Sequence, residues 1–192
     1  MNANTIRYLS KALIALVLEG VVALDCQTKP PLPQTVTDVF SQASSHIEAA
    51  IISLAEAMPE DEYSFLPTKG EFKGVRTFSQ LVKHVATDNY VDAAALLQER
   101  PPIDVGEREN GPDSIRSKAE ILRFVRDSFE YMQKAIRTVN HGNLMERVEM
   151  PGAQGGIPRL MIIDAAMAHP WDLYGQMIEY LRMNGIDPQA KH

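Results

Sequence analysis

Residues 158–185 read PRLMIIDAAMAHPWDLYGQMIEYLRMNG, and the fold class turns on this stretch. Its apolar residues recur at helical spacing, with none of the strict alternation that a half-buried strand requires. Pro158 suits a first helical turn, where its missing N–H would be unpaired in any case. Asn184 and Gly185 close the pattern after Met183. A single long helix is therefore expected from about 158 to 183. Pro170 lies inside it and should kink it or interrupt its hydrogen-bond ladder, because proline lacks the N–H and crowds the carbonyl one turn back. That disturbance would fall beside His169.

Working outward, three more segments have the same period. In residues 36–58, Phe40, Ala43, Ile47, Ala50, Ile51, Leu54 and Met58 form one apolar stripe, and Pro59 ends it. Residues 78–99 follow Thr77, an N-cap with Gln80 three positions on, which is the spacing of a capping box. Residues 118–139 follow Ser117 with Glu120 at the same offset, and Asn140-His141-Gly142 is the expected stop. No segment reads as a long strand, although Val148 and Met150 alternate with charged residues in a short hairpin candidate within 144–156. The expectation is an all-α fold, with connections at 59–76 and 100–116 that are long for a simple bundle. Long loops on a helical scaffold either cover a site or decorate it.

The 192-residue length fits one domain, and 45% hydrophobic with 23% charged residues is ordinary for a globular chain. A net charge of −6, with Lys and Arg scattered, argues against nucleic acid as a partner, since phosphate binding needs concentrated positive charge. The single cysteine, Cys26, excludes an intramolecular disulfide and a thiolate metal cluster. Any metal chemistry must rest on histidine and carboxylate.

The N-terminus carries Arg7 and Lys11, then an apolar run at 12–24, then a polar, proline-rich segment at 25–33. This is the pattern of a secretory signal, and the run is short for a membrane span, which needs about 20 apolar residues. Glu19 interrupts the run, and Asp25 stands where a lipoprotein box needs a small residue. The alternative is an amphipathic helix packed on the bundle or on a partner. The expected layout is a signal peptide or anchor helix at 1–26, a linker at 27–34 and a bundle at 35–188. A secreted, periplasmic or membrane-tethered location follows, touching membrane only through the N-terminal segment, with a cytoplasmic one as the alternative.

Of five histidines, His192 is terminal and His141 lies in a turn. His84 and His169 each sit mid-helix beside an apolar stripe, where bundles build metal sites from inward-facing ligands on facing helices. A lone mid-helix histidine is more often a satisfied core residue, and spacing alone does not show that these two meet. Asp172, three residues after His169, shares a side of the helix with it. It reads as a ligand or as a surface carboxylate. Asp88, one turn after His84, reads equally as a partner of that histidine, a ligand, or a solvated face residue. Gly152-Ala153-Gln154-Gly155-Gly156 lacks the preceding strand of a dinucleotide fingerprint and reads as a turn. No phosphate loop or nucleophile elbow occurs.

His169-Pro-Trp-Asp172-Leu173-Tyr174-Gly175-Gln176, followed by Tyr180-Leu181-Arg182, resembles the last helix of the DinB superfamily. The segment Thr77-Phe-Ser-Gln-Leu-Val-Lys-His84 and the stretch Ala55–Pro67 are similar to further family segments, so the resemblance covers roughly residues 35–188. It implies a DinB-like antiparallel four-helix bundle with a divalent ion (Zn, Ni, Mn or Fe), and a homodimer. The family's three metal histidines fall on His84, His169 and position 173, and here position 173 is Leu173, which cannot ligate. Asp172 is the nearest replacement. Two functions follow as expectations. One is a metal-dependent hydrolase or thiol-dependent transferase acting on an unidentified small molecule through an incomplete site. The other is a non-catalytic binding or interaction module that has lost its metal.

Overall fold

A computed structural model of the chain describes residues 32–150 and 153–188. The expected signal or anchor helix at 1–26 and all but the end of the linker lie outside the described residues, as does His192. Among the described residues, four long helices carry the structure: α1 Val36–Ala57, α2 Phe78–Leu97, α3 Lys118–Ile136 and α4 Arg159–Met183. Between α3 and α4 runs the hairpin, β1 Arg147–Met150 paired antiparallel with β2 Ala153–Pro158. Two single-turn 3-10 helices, Glu60–Glu62 and Glu107–Glu109, punctuate the long connections. Among the described residues, no helix is long and apolar enough to cross a membrane.

Each start is written locally. Thr77 and Ser117 close capping boxes with Gln80 and Glu120, as their spacing predicts. α1 has a third box, in which Thr35 and Asp38 satisfy each other's backbone. The first three helices end one to three residues early, while α4 ends at Met183 as expected. Gln98 stops α2 in the left-handed region, its N–H returning to the carbonyls of Ala94 and Ala95. At the end of α3, Thr138 donates its hydroxyl to the Ala135 carbonyl at 2.7 Å, tightening the last turn. α4 runs through Pro170 as one helix, and the proline ring is buried.

The helices form a ring in which α2 and α3 are neighbours, α3 packs on α1, α1 on α4, and α4 on α2. Cross-helix contacts give their directions. Arg159 reaches the Leu96 carbonyl, His169 meets His84, and the Tyr180 hydroxyl reaches the Arg76 carbonyl, so α4 is antiparallel to α2. Gln133 bonds near Ser41 while Arg126 pairs with Glu56, so α3 is antiparallel to α1. Asn89 bonds Ser128 and Glu99 accepts from Tyr131, so α2 and α3 run the same way. The order is up-down-down-up. Because α2 spans about 30 Å at 1.5 Å per residue, the chain must return along the whole bundle before α3 can begin. The long segment 98–117 is that return.

The core fills the ring with apolar side chains from all four helices, among them Ile51, Leu54, Phe78, Leu81, Phe129 and Met177. A second cluster, including Leu96, Ile136 and Ile162, packs beneath the hairpin, where Val148 is buried. Burying such side chains contributes roughly 1.5–3 kcal/mol each. The scaffold holding the central residues of α2 against α4 is thus rigid.

Candidate metal centre

His84, Asp88 and His169 bring one ligand atom each to within 4.8 Å of one another. His84 and Asp88 stand one turn apart on α2, so both project from one face. That face meets α4 at His169, because the two helices run antiparallel and Arg159 and Tyr180 fix their register at either end. His84 is only 5% exposed, whereas His169 opens to solvent.

The hydrogen bonds settle which imidazole nitrogen is available. His84 Nδ1 lies 2.9 Å from the Glu109 carbonyl oxygen. A carbonyl can only accept, so Nδ1 carries the proton and Nε2 keeps its lone pair. That lone pair faces His169 Nε2 at 3.4 Å. His169 Nε2 is in turn 3.3 Å from Asp88 Oδ2. The His84 lone pair, the His169 ring nitrogen and the Asp88 carboxyl group thus converge. A tetrahedral ion about 2.0–2.1 Å from each nitrogen would set neighbouring ligand atoms about 3.3–3.4 Å apart. The two separations about His169 Nε2, 3.4 and 3.3 Å, fit that spacing, and two imidazoles with a carboxylate suit a first-row divalent ion.

The electrostatics agree with this donor set. Burial lowers the pKa of His84, opposed by the Glu109 carbonyl and reinforced by the nearby Arg76 charge. Its ring is neutral, so the 3.4 Å approach of Asp88 Oδ1 to Nδ1 is a polar contact and no ion pair. Burial first, then repulsion from Glu109 and Asp92, raises Asp88 to about 8 against the pull of Arg76. Asp92, one further turn along α2, is raised to about 7 by burial and by Glu109. The cleft thus disfavours uncompensated negative charge, which a bound cation would neutralise.

Among the described residues, those singled out in the sequence take definite places. His84 and His169 meet. Asp172 does not join them: it is exposed on α4, where its Oδ2 accepts from Gln176 Nε2 at 3.1 Å. The spacing from His169 places it on a neighbouring part of the helix surface, outside the cleft between α2 and α4. The carboxylate in the cluster is Asp88. Leu173 is 2% exposed within the core, packed as any apolar residue would be. Trp171 turns toward α1, with its ring 5.6 Å from His46 and 5.3 Å from Tyr174, so it does not line the cleft. His141 is exposed in a turn. The Glu109 carbonyl escaped the sequence reading altogether, since a backbone acceptor on a loop leaves no mark in residue type.

Comparison with known proteins agrees with this architecture. The profile of the family described as DinB superfamily matches residues 45–177. A DinB-like protein from Bacillus cereus has a similar crystal structure, with a TM-score of 0.64 and 15% identity, covering 83% of this chain and 99% of that one. A conserved protein from Enterococcus faecalis is similar at a TM-score of 0.63 and 13% identity, covering 79% of this chain and 98% of its own. At these identities the likeness speaks for the fold alone. No curated protein matches the sequence.

Proposed function

We propose, for a chain that belongs to the DinB superfamily, that the cleft between α2 and α4 binds one divalent transition-metal ion through His84 Nε2, His169 Nε2 and Asp88 Oδ2. The observation that carries this reading is the approach of the two Nε2 atoms to 3.4 Å while His84 Nδ1 is committed to the Glu109 carbonyl. The pair of ligands one turn apart, which the family resemblance puts on the last helix at 169 and 173, has its counterpart on α2 at 84 and 88. Asp88 thereby compensates for Leu173.

With three protein ligands, positions remain for water or substrate, as in catalytic sites. Bound there, a divalent ion supplies Lewis-acid polarisation of a substrate oxygen, or lowers the pKa of a water or thiol. The chain's own residues divide the remaining work. His84 is buried and oriented by Glu109, and so fixes the depth of the site. His169 and the partly exposed Asp88 form its mouth, where a small molecule can enter. The chemistry this favours is a metal-dependent hydrolysis or thiol-dependent transfer.

Loading the chain with Zn, Ni, Mn or Fe and measuring retained metal by mass spectrometry tests the reading. Roughly one equivalent is expected in the wild type. His84→Ala, His169→Ala and Asp88→Ala should each lose it, and Asp172→Ala should keep it. Retention by Asp88→Ala at the wild-type level would remove Asp88 from the site. The burial of Leu173 in the core favours a second reading, a metal-free binding module. A wild type that retains no metal would select it.

A further inference from the structure

Segment 98–117 is held where it reaches the cleft by side chains of the bundle. Lys83 donates through Nζ to the carbonyls of Pro112 at 2.7 Å and Ile115 at 3.3 Å. Arg76, just before α2, grips the two residues on either side of Glu109. Its Nε donates to Asn110 Oδ1 at 2.8 Å and its Nη2 to the Arg108 carbonyl at 2.7 Å. Arg76 is itself fixed, since its carbonyl accepts from the Tyr180 hydroxyl at 2.9 Å. Arg108 returns the contact through Nη2 to the Gly74 carbonyl at 2.9 Å.

The gripped turn is one the backbone would not choose alone. Arg108 and Glu109 have φ of 55° and 60°, in the left-handed region that residues bearing a Cβ disfavour. Gly106 and Gly111 flank them, and a Cβ on Gly106 would stand 2.2 Å from the Gly111 carbonyl oxygen. Such strain persists only where surrounding contacts over-determine it. What the turn delivers is the Glu109 carbonyl, at 2.9 Å from His84 Nδ1.

That delivery decides what Asp88 can do. His84 Nδ1 has a second acceptor within reach, Asp88 Oδ1 at 3.4 Å. While the Glu109 carbonyl accepts the hydrogen bond from Nδ1–H, the Asp88 carboxylate is free to face His169. If the turn relaxes, Asp88 is left to accept that hydrogen bond and is drawn away from the metal position. We propose that Arg76 is a positioning residue for the metal site, aiming the Glu109 carbonyl at His84 Nδ1 and so keeping Asp88 available as a ligand. This rests on the metal reading above.

Charge and geometry make opposite demands on Arg76. Its guanidinium is a positive group near the cation position. Considered as a charge alone, its removal should tighten metal binding. Considered as a clamp, its removal should loosen it.

The test uses the full chain with Arg76→Ala and Asn110→Ala, the latter cutting one of the two grips and serving if the former does not fold. Co(II) affinity is measured by competition, and the imidazole nitrogens of His84 are followed by NMR in the metal-free protein. Arg76→Ala should weaken Co(II) binding about 10- to 100-fold, the usual effect of losing an outer partner of a ligand, with Asn110→Ala smaller in the same direction. The Nδ1–H resonance of His84 should change its shift in parallel, as its acceptor passes from the Glu109 carbonyl to the Asp88 carboxylate. Folded variants that bind Co(II) as tightly as the wild type or tighter, or that leave the Nδ1–H resonance at its wild-type shift, overturn the proposal. If the wild type binds no Co(II), the metal reading falls by itself. The imidazole spectra then decide alone, their change sustaining the aiming role and their constancy refuting it.

Discussion

At the scale of single residues, position 173 is where the chain departs from the pattern that the family resemblance implies. Leu173 sits in the core at 2% exposure, one turn after His169 on α4, while Asp88 sits one turn after His84 on α2. Replacing Leu173 by histidine should therefore do two things. In the absence of metal, a buried imidazole without a partner destabilises the fold by about 1–3 kcal/mol. In its presence a further ligand joins the ion, and binding to the folded state alone restores stability, by about 2.7 kcal/mol when free metal is a hundred times Kd. The expected outcome is a lower melting temperature than the wild type without Zn, and a larger rise on adding it. An equal rise in both proteins would mean that position 173 does not reach the ion. His84 and His169 were legible in the sequence as mid-helix histidines beside apolar stripes. Asp88 was only half legible: its spacing from His84 is plain, but spacing does not tell which face of α2 turns to α4. Asp172 stood out beside His169 because proximity along one helix is easier to read than proximity across two.

Single elements were the most legible level, because their signals are local. Capping boxes at Thr77 and Ser117 and the apolar stripes place three helix starts within a residue, and the hairpin is marked by alternation at Val148 and Met150. Helix ends were less so, since competing donors such as the Thr138 hydroxyl decide the last turn. The boxes also imply an acid response. Glu120 is held at about 2, well below its ordinary value of 4.5, because the backbone N–H groups of Ser117 and Arg116 and the Ser117 hydroxyl donate to its carboxylate. The folded pKa is depressed, so this stabilisation is fully present above the unfolded value. It is lost as pH falls from there toward 2. Gln80 makes the equivalent bond in α2, accepting from Thr77 N at 2.9 Å, without a titrating group. Glu120→Gln should thus keep a capped α3 yet flatten the fall in stability below pH 4.5, measured by urea unfolding across that range. An unchanged acid limb would show that Glu120 does not govern it.

At the scale of the whole molecule, the order of the helices was the least legible feature. Periodicity announces four helices and a bundle, but it carries no direction. The up-down-down-up order follows from pairs far apart in sequence, such as Asn89 with Ser128 and Gln133 with Ser41. Its consequence is the long return of 98–117, whose length alone suggested either cover or decoration. The path explains the length, and on that path the Glu109 carbonyl becomes part of the site. The cleft is thus assembled from two helices and a loop that meet only in the folded chain. The most direct test of this assembly is X-ray absorption on the Zn- or Ni-loaded protein, which counts the imidazoles around the ion. The account predicts two imidazoles together with oxygen ligands, falling to one in His169→Ala where metal remains. A loaded wild type showing one imidazole or none would contradict it.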